Sequence, residues 1–560
     1  MFCLCNERGE YDELYPLQQP QPFSLPCPLP HWPPGQGFGT GRINLGEIEV
    51  NEVTKFESIC SSLVHKKEKG VTFYRPVGIP DGFFSFGDYC QPNDKPLRGY
   101  VLVARDLAVD RQEEKSVNGS ALIKPQNYIL LWSSDSEHGE QVFIWQPKAP
   151  VGYKSLGFVV TTDPREPELE EVRCIRADLT EDCEACDLML DTLSTLSNYP
   201  IKIWNTRSCV RGMLGIGVSV GTFFCSTYLD SEDDMKIVCL KNLDSSLHAM
   251  PNLDQIHALI KHYGPTVFFH PNEAYLPSSV GWFFKNGALL CSKEKVKGEA
   301  IDSRGSNLPC GGLNDGEYWL DLPDDDEARD YIKKGNMESS LLYVHVKPAK
   351  GGSFTDIVMW IFCPFNGPST IKAGLVNIEM SKVGEHVGDW EHYTLRVSNF
   401  TGELWYVYFS EHSGGEWVDA SSLEFIEGNR AVIYSAKSGH ASFPHAGTYI
   451  QGSTKLKIGL RNDTARSNYF IDSCTNYEII AAEYLGEGIV KEPHWLQYMR
   501  EWGPTIVYDS RSELDKIMNF LPFFFKLSVE SIMELFPTEI YGEEGPTGPK
   551  EKDNWLGDER

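Results

Sequence analysis

No run of eighteen consecutive apolar residues occurs in this chain, so nothing in it reads as a membrane-spanning helix. Positive charge is scarce: 51 Lys and Arg stand against 79 Asp and Glu, a formal net charge of −28. Without an extended basic surface to neutralise phosphates, a nucleic-acid partner and broad electrostatic docking on an anionic leaflet are both disfavoured. The zinc-hydrolase motif HExxH is absent. The fifteen cysteines are odd in number and lack framework spacing, and Cys183-Glu184-Ala185-Cys186 is a lone CxxC without a second pair. The N-terminus runs through Glu7, Arg8, Glu10 and Asp12 with no apolar leader, which sets the expectation of reduced cysteines in a cytoplasmic protein. Cys3 and Cys5 are candidates for reversible acylation, which would place it peripherally on an endomembrane or the plasma membrane. The sequons at Asn118, Asn399 and Asn462 would then be idle.

What is present is length and apolar content. A chain of 560 residues exceeds one ordinary core, and 41% hydrophobic residues make it globular rather than disordered. Residues 1–40 are a proline-rich lead-in, expected to be extended and poorly packed. An internal repeat follows in residues 41–240. Tyr74-Arg75-Pro76 with the downstream Gly82 and Gly87 recurs as Trp145-Gln146-Pro147 with Gly152 and Gly157. A weaker third copy is Trp204-Asn205-Thr206 with Gly212, Gly215 and Gly217, and a degenerate fourth is Trp32-Pro33-Pro34. Aromatic-and-glycine units some 60–70 residues apart (Tyr74 to Trp145 to Trp204) predict a pseudo-symmetric, β-prism-like module. Residues 241–253 read as a linker into a helix over 254–263 capped by Asn252 or Asp254. Residues 254–540 read as a mainly β, sandwich-like domain with peripheral helices, and 541–560 as a frayed polar tail. The segment Tyr263–His270 has an echo at Trp502–Asp509, and the two are expected to pair in one sheet. Ser512–Phe536 reads as one or two helices.

The densest chemistry lies in His386-Val387-Gly388-Asp389-Trp390-Glu391-His392. Past it, Tyr393, Leu395 and Val397 alternate with polar residues, the pattern of a half-buried strand, so Asp389 and Glu391 share a face. Gly384 and Gly388 flank a turn that would bring His386 over that pair. One imidazole and two carboxylates suit a divalent cation or a general acid and base. Leu404–Ser410 reads as the next strand; if Val397 faces Leu404, Glu391 lies opposite Ser410 and Asp389 opposite His412. A one-residue slip would move His412 off that face. His440 and His445 lie in a following segment. The candidate metal ligands are therefore His386, Asp389, Glu391 and His412, and the candidate ligand contacts Trp390, His392, Ser410, His440 and His445. Trp405 and Trp417 add stacking faces, and His412 and His440 are the candidate acids or bases. Magnesium, calcium or manganese fits such a donor set better than zinc.

Gly281-Trp282-Phe283-Phe284, Gly388-Asp389-Trp390-Glu391-His392 and Tyr434–Ala441 resemble the signature of the plant vacuolar protein sorting-associated protein 62-like family, domain of unknown function 946. The resemblance covers nearly the whole chain and implies a link to vacuolar trafficking. More distantly, Glu385–Glu391 is similar to the heptapeptide Gly-His-Arg-His-Asp-Trp-Glu of necrosis-inducing cytolysins. There the first His, Asp and Glu help bind a divalent cation that engages sphingolipid head groups. His386, Asp389, Trp390 and Glu391 match it, while Glu385, Val387 and Gly388 depart from it. Ser410–Gly415 is similar to that family's Ser-x-His-Gly-Gly element, while its upstream aspartate has no clear counterpart, Asn366 being the one candidate. The repeats also resemble adaptor modules of lipid-transfer proteins that grip proline-containing peptides, a likeness of fold alone. Three readings follow: a trafficking-linked protein holding a lipid head group or glycan through a cation, a metal-dependent hydrolase of phosphoesters or glycosides, and a protein-interaction scaffold.

Overall fold

The computed structural model of the chain describes residues 21–61, 70–107, 119–134, 141–192, 200–227, 237–373, 375–380, 382–412, 414–453, 458–506 and 545–559. Cys3, Cys5, Asn118 and Ser512–Phe536 lie outside these residues. Strands dominate and helices are few, as the alternating patterns predict.

In the N-terminal module the three stronger repeats each occupy a strand of a different antiparallel sheet. These are β1 (Val71–Pro76), β2 (Phe143–Lys148) and β3 (Ile201–Ser208). Neighbouring strand residues face opposite ways. The residue preceding each aromatic (Phe73, Ile144 and Ile203) therefore enters one shared core with Phe158 and Phe223. The repeats are joined by close backbone approaches. A Cβ on Gly87 would lie 2.7 Å from the Phe158 carbonyl, one on Gly157 2.8 Å from the Thr222 side chain, and one on Gly221 2.0 Å from the Tyr100 carbonyl. The glycine of the third repeat is thus Gly221, not one of Gly212–Gly217. Trp32, read as a fourth copy, packs instead against His262 and Tyr263 of the C-terminal half.

The C-terminal half begins with α1 (Leu253–Tyr263), closed at its start by a reciprocal capping box of Asn252 and Gln255. Its apolar stripe Ile256, Leu259, Ile260 and Tyr263 faces the core. There follow β4 (Thr266–Phe269), β5 (Leu342–Ala349), β6 (Phe354–Asn366), β7 (His386–Ser398), β8 (Leu404–Glu411), β9 (Gly414–Asp419), β10 (Arg430–Ser435), β11 (Phe470–Asp472) and β12 (Tyr477–Ala481). The large sheet runs β9-β8-β7-β6-β5-β12, and a smaller one contains β10-β4-β11. One face of the large sheet, with Ile357, Met359, Tyr393 and Leu395, packs on α1 and the smaller sheet. The other face, with Val358, Trp360, Phe362 and Trp390, packs on Phe283, Phe284, Trp495 and Trp502.

Several expectations need correction. β4 pairs with β10 and β11 rather than with 502–509; over the described residues that segment is not a strand, and Trp502 is fully buried among aromatics. The proline-rich lead-in is packed where described: Trp32 Nε1 donates to the Thr401 carbonyl, and Gln255 reaches the Pro33 carbonyl. Residues 241–253 are no loose linker, since Asn242, Ala249 and Met250 are buried. Core residues of both halves, such as Val50, Leu102, Phe354 and Trp405, form one continuous cluster. The tail is docked rather than frayed over 545–559, with Trp555 3% exposed. β7 is consequently buried on both faces, not half-buried. Asn399 and Asn462 are also buried, so neither sequon is open to a glycosyl donor in the folded chain. No helix among the described residues is long and apolar enough to cross a membrane.

Candidate functional site

Strand alternation sets Asp389 and Glu391 on one face of β7, and Gly388 completes the local geometry. Its φ of 74° lies in the left-handed region that favours glycine, and a Cβ there would sit 2.2 Å from the Trp502 carbonyl. The twist sends Val387 into the aromatic core alongside Trp390 and brings His386 Nε2 to 3.7 Å from Asp389 Oδ1. His386 Nδ1 is buried without a side-chain partner.

Across the core, His440 Nδ1 donates to Asp389 Oδ2 at 2.7 Å while its Nε2 donates to the Tyr275 carbonyl at 2.8 Å. Both ring nitrogens face acceptors, so His440 is an imidazolium and neither nitrogen remains for a cation or for proton abstraction. Burial opposes that charge, but neighbouring Cys363, Asp389 and Glu273 outweigh it and raise the imidazole well above its ordinary value. Asp389 is in turn held below the ordinary carboxylate value: burial works against ionisation, and His440 and His386 overcome it. Cys363, Asp389 and His440 form a buried triad whose ligand-type atoms lie within 4.8 Å of one another. Burial pushes the Cys363 thiol up to about 11, with His440 beside it pulling the other way.

Glu391 accepts a hydrogen bond from Ser410 Oγ at 3.0 Å. Its carboxyl is raised to about 8, first by burial and then by the Asp389 charge, with Lys552, Ser410 and His440 pulling the other way. The β7–β8 ladder does begin at Val397 and Leu404, but a bulge follows, and the pairing slips to Leu395–Val407 and Tyr393–Phe409. It stops there, so neither Glu391–Ser410 nor Asp389–His412 is a backbone pair. A cavity of about 560 Å³ opens beyond the last pair, lined by Asn366, His386, Asp389, Glu391, Ser410 and His412 among others. Within it His412 Nε2 meets Asn462 Oδ1 at 3.1 Å, and Gly439 leaves room for the imidazole.

Of the other candidates, Trp390 and His392 also line the cavity, whereas Trp405, Trp417 and His445 do not. Trp390 lines the cavity but is buried among Tyr343, Phe362, Trp495 and Trp502. Trp405 sits under Arg98 at the junction of the two halves, and Trp417 under Arg396. His392 points to the opposite face of β7, where its Nε2 donates to Glu559 at 2.9 Å and both residues line the cavity. His445 is exposed and does not line the cavity. A GxSxG string does occur at Gly217–Gly221, but Ser219 Oγ donates to the Thr206 carbonyl at 3.2 Å in the N-terminal module, far from any strand-to-helix elbow. Sequence reasoning missed the C-terminal segment, whose Glu551, Lys552, Asp553 and Asn554 wall the cavity. The tryptophan at 555, isolated in a polar stretch, was the one signal that this segment docks.

Relatives agree on family more than on detail. The vacuolar protein sorting-associated protein 62 of Saccharomyces cerevisiae is 27% identical over 281 residues, 43% of this chain and 57% of that protein. Its compatriot TDA6, also described as a vacuolar sorting-associated protein, is 23% identical over 296 residues, 44% of this chain and 60% of its own. The chain thus matches less than two thirds of the length of either. Among solved structures, NLPPya in complex with glucosamine covers 41% of this chain and 74% of its own at 12% identity and a TM-score of 0.21. GNIP1Aa from Chromobacterium piscinae covers 39% and 40% at 13% identity and a TM-score of 0.29. Neither score transfers an architecture or a ligand. The description of the vacuolar protein sorting-associated protein 62 family matches residues 19–559, and the chain belongs to that family.

Proposed function

We propose that this chain is a binding protein with a vacuolar-sorting-related role, which holds a glycan or lipid head group in the cavity beside β7 through a divalent cation. Asp389, Glu391 and His386 would have to draw together to hold the cation, since among the described residues only Cys363, Asp389 and His440 bring three ligand-type atoms within 4.8 Å of one another; Asn366 and His412 stand at the rim. These are oxygen donors with one or two imidazoles, the set that suits magnesium, calcium or manganese. When bound, the ion would supply open coordination positions for hydroxyl or phosphate oxygens. The observation that carries this reading is the Glu391 carboxyl. It lies beside a second carboxylate, receives only a serine hydroxyl, and is raised to about 8 by burial and by Asp389. A structural carboxylate is ordinarily matched by a cation or by several N–H donors, and among the described residues this one is not.

The hydrolase reading is weaker because His440 has both nitrogens engaged. Metal analysis of the purified protein and of an Asp389→Ala/Glu391→Ala double variant tests the site. Chelator-sensitive binding on glycan and lipid arrays without turnover of phosphoester or glycoside substrates is the expected result. Equal metal content in both proteins would refute the site, and turnover lost in His412→Ala would favour the enzyme.

A further inference from the structure

Lys347 lies on β5 and is only 1% exposed. Its cross-strand neighbour Asp356 gives both carboxylate oxygens to Arg396, at 2.7 Å each. Glu559 is taken by His392 and Thr394. Lys347 Nζ is left to donate to two backbone carbonyls, that of Asn554 and that of Gly557 at 2.9 Å, and among the described residues no ion pair holds it. A buried ammonium that meets only neutral acceptors is costly, and losing its proton relieves that cost. Burial does hold this group below the ordinary lysine value; Glu559, Asp356 and Asp558 oppose the shift, and Arg396 adds to it.

Both carbonyls belong to the docked C-terminal segment, which forms one wall of the cavity. Asn554 is itself buried, and its carboxamide Nδ2 donates to Glu559 Oε1 at 3.3 Å. Asn554 therefore stands between an amine that touches its main chain and a carboxylate that touches its side-chain amide. Trp555 covers the amine side, stacked on the His345 ring at 3.9 Å with Trp360 beyond, and all three rings are buried. A desolvated lysine in such a setting is a nucleophile rather than a hydrated charge. Lys347 does not line the cavity, but Asn554 and Glu559 do, which leaves an exit for a small leaving group.

We propose that Lys347 and Asn554 become joined by an isopeptide bond, with Glu559 as the proton carrier. Nζ attacks the Asn554 carboxamide carbon, so that the Nζ–Cγ bond forms and the Cγ–Nδ2 bond breaks. Glu559 accepts the proton that Nζ gives up and returns it to Nδ2, which departs as ammonia. No oxidant, metal or second substrate enters the balance. The product removes the unmatched buried charge and ties the cavity wall to β5 across 207 positions of sequence. Glu559 keeps His392 and Thr394 as partners once that charge is gone. The bond forms whatever the cavity holds, so it stands or falls apart from the cation site.

The test is the intact mass of the purified full chain after incubation at neutral pH, with tandem mass spectrometry of its tryptic peptides. The wild-type chain is expected to be lighter than its sequence by one ammonia, with one branched peptide that carries both Lys347 and Asn554. Lys347→Arg, whose guanidinium stays protonated and cannot attack, should restore the full mass, as should Asn554→Ala. Glu559→Gln should slow bond formation by about a hundredfold or more, with circular dichroism unchanged. A wild-type chain of full mass with unlinked peptides overturns the proposal, and this result needs no variant to fold. So does a loss of ammonia that persists in Lys347→Arg, because it would come from cyclisation of an asparagine alone. An unchanged rate in Glu559→Gln would overturn the carrier role and leave the bond.

Discussion

On the face of β7 turned toward the C-terminal segment, His392, Thr394 and Arg396 each meet an opposite or complementary group. Arg396 grips Asp356 with two bonds of 2.7 Å and Asp558 with a third, while His392 and Thr394 share Glu559. On the other face, Asp389 has His440, but Glu391 has a hydroxyl alone. The same strand thus carries one charged cluster that is matched internally and one that is not. The matched cluster fixes a chain segment and has little capacity left for a ligand. The other reaches the same cavity with a carboxyl that burial and Asp389 keep protonated below about pH 8, a strained state that a cation could relieve.

The sharpest way to break this contrast is Arg396→Ala. It strands the Asp356 carboxylate, 1% exposed, and releases Asp558. A loss of about 3–5 kcal/mol is expected in denaturant unfolding. A loss below about 1 kcal/mol would show that the cluster is not internally matched.

Next in size is the acid limb. Glu559 is held at about 2: burial opposes its ionisation, and His392, Lys347 and Thr394 prevail. Its folded value lies below its ordinary 4.5, so its contribution of about 3 kcal/mol is present above that pH and is lost as pH falls toward 2. Hydrogen exchange in residues 545–559 should accelerate over that window, and Glu559→Gln should flatten the profile.

Glu391→Gln should move stability the other way. A carboxyl raised to about 8 binds its proton more tightly in the folded chain, so stability falls as pH rises from about 4.5 to about 8. Without added cation at pH 7, the neutral amide is expected to stabilise by about 1–2 kcal/mol, with the gain vanishing near pH 4. Destabilisation at pH 7 would place Glu391 among the structural carboxylates.

The contrast also explains what could be read from the chain. Period-2 patterning located β7 and β8, and it set Asp389 and Glu391 side by side, because side-chain alternation is a local property of the backbone. The polar residues Thr394 and Arg396 made the strand look half-exposed; they are covered by residues more than 150 positions away, which no local pattern reports. The extra residue at the bulge near Trp405 likewise depends on how the turn after Ser398 packs, so the expected Asp389–His412 pairing was out of reach. His440 was legible as a nearby imidazole but not as an imidazolium, since that follows from the Tyr275 carbonyl on its far side. Chemistry that lies within a strand was visible, whereas chemistry completed by distant segments was not.

The smallest expected effect gives the finest view of the unmatched cluster. Ser410 Oγ donates to Glu391 and so favours its ionised form. A cation entering beside Glu391 must displace the proton held there below about pH 8, so apparent affinity should rise with pH and level off near that value. Calorimetry in buffers of different ionisation enthalpy would record the released proton. Ser410→Ala removes the one hydrogen bond that helps the proton leave, worth roughly 0.5–1.5 kcal/mol. The plateau should therefore move to higher pH, with affinity above it little changed. Should the plateau stay in place, the proton released on binding comes from a group other than Glu391.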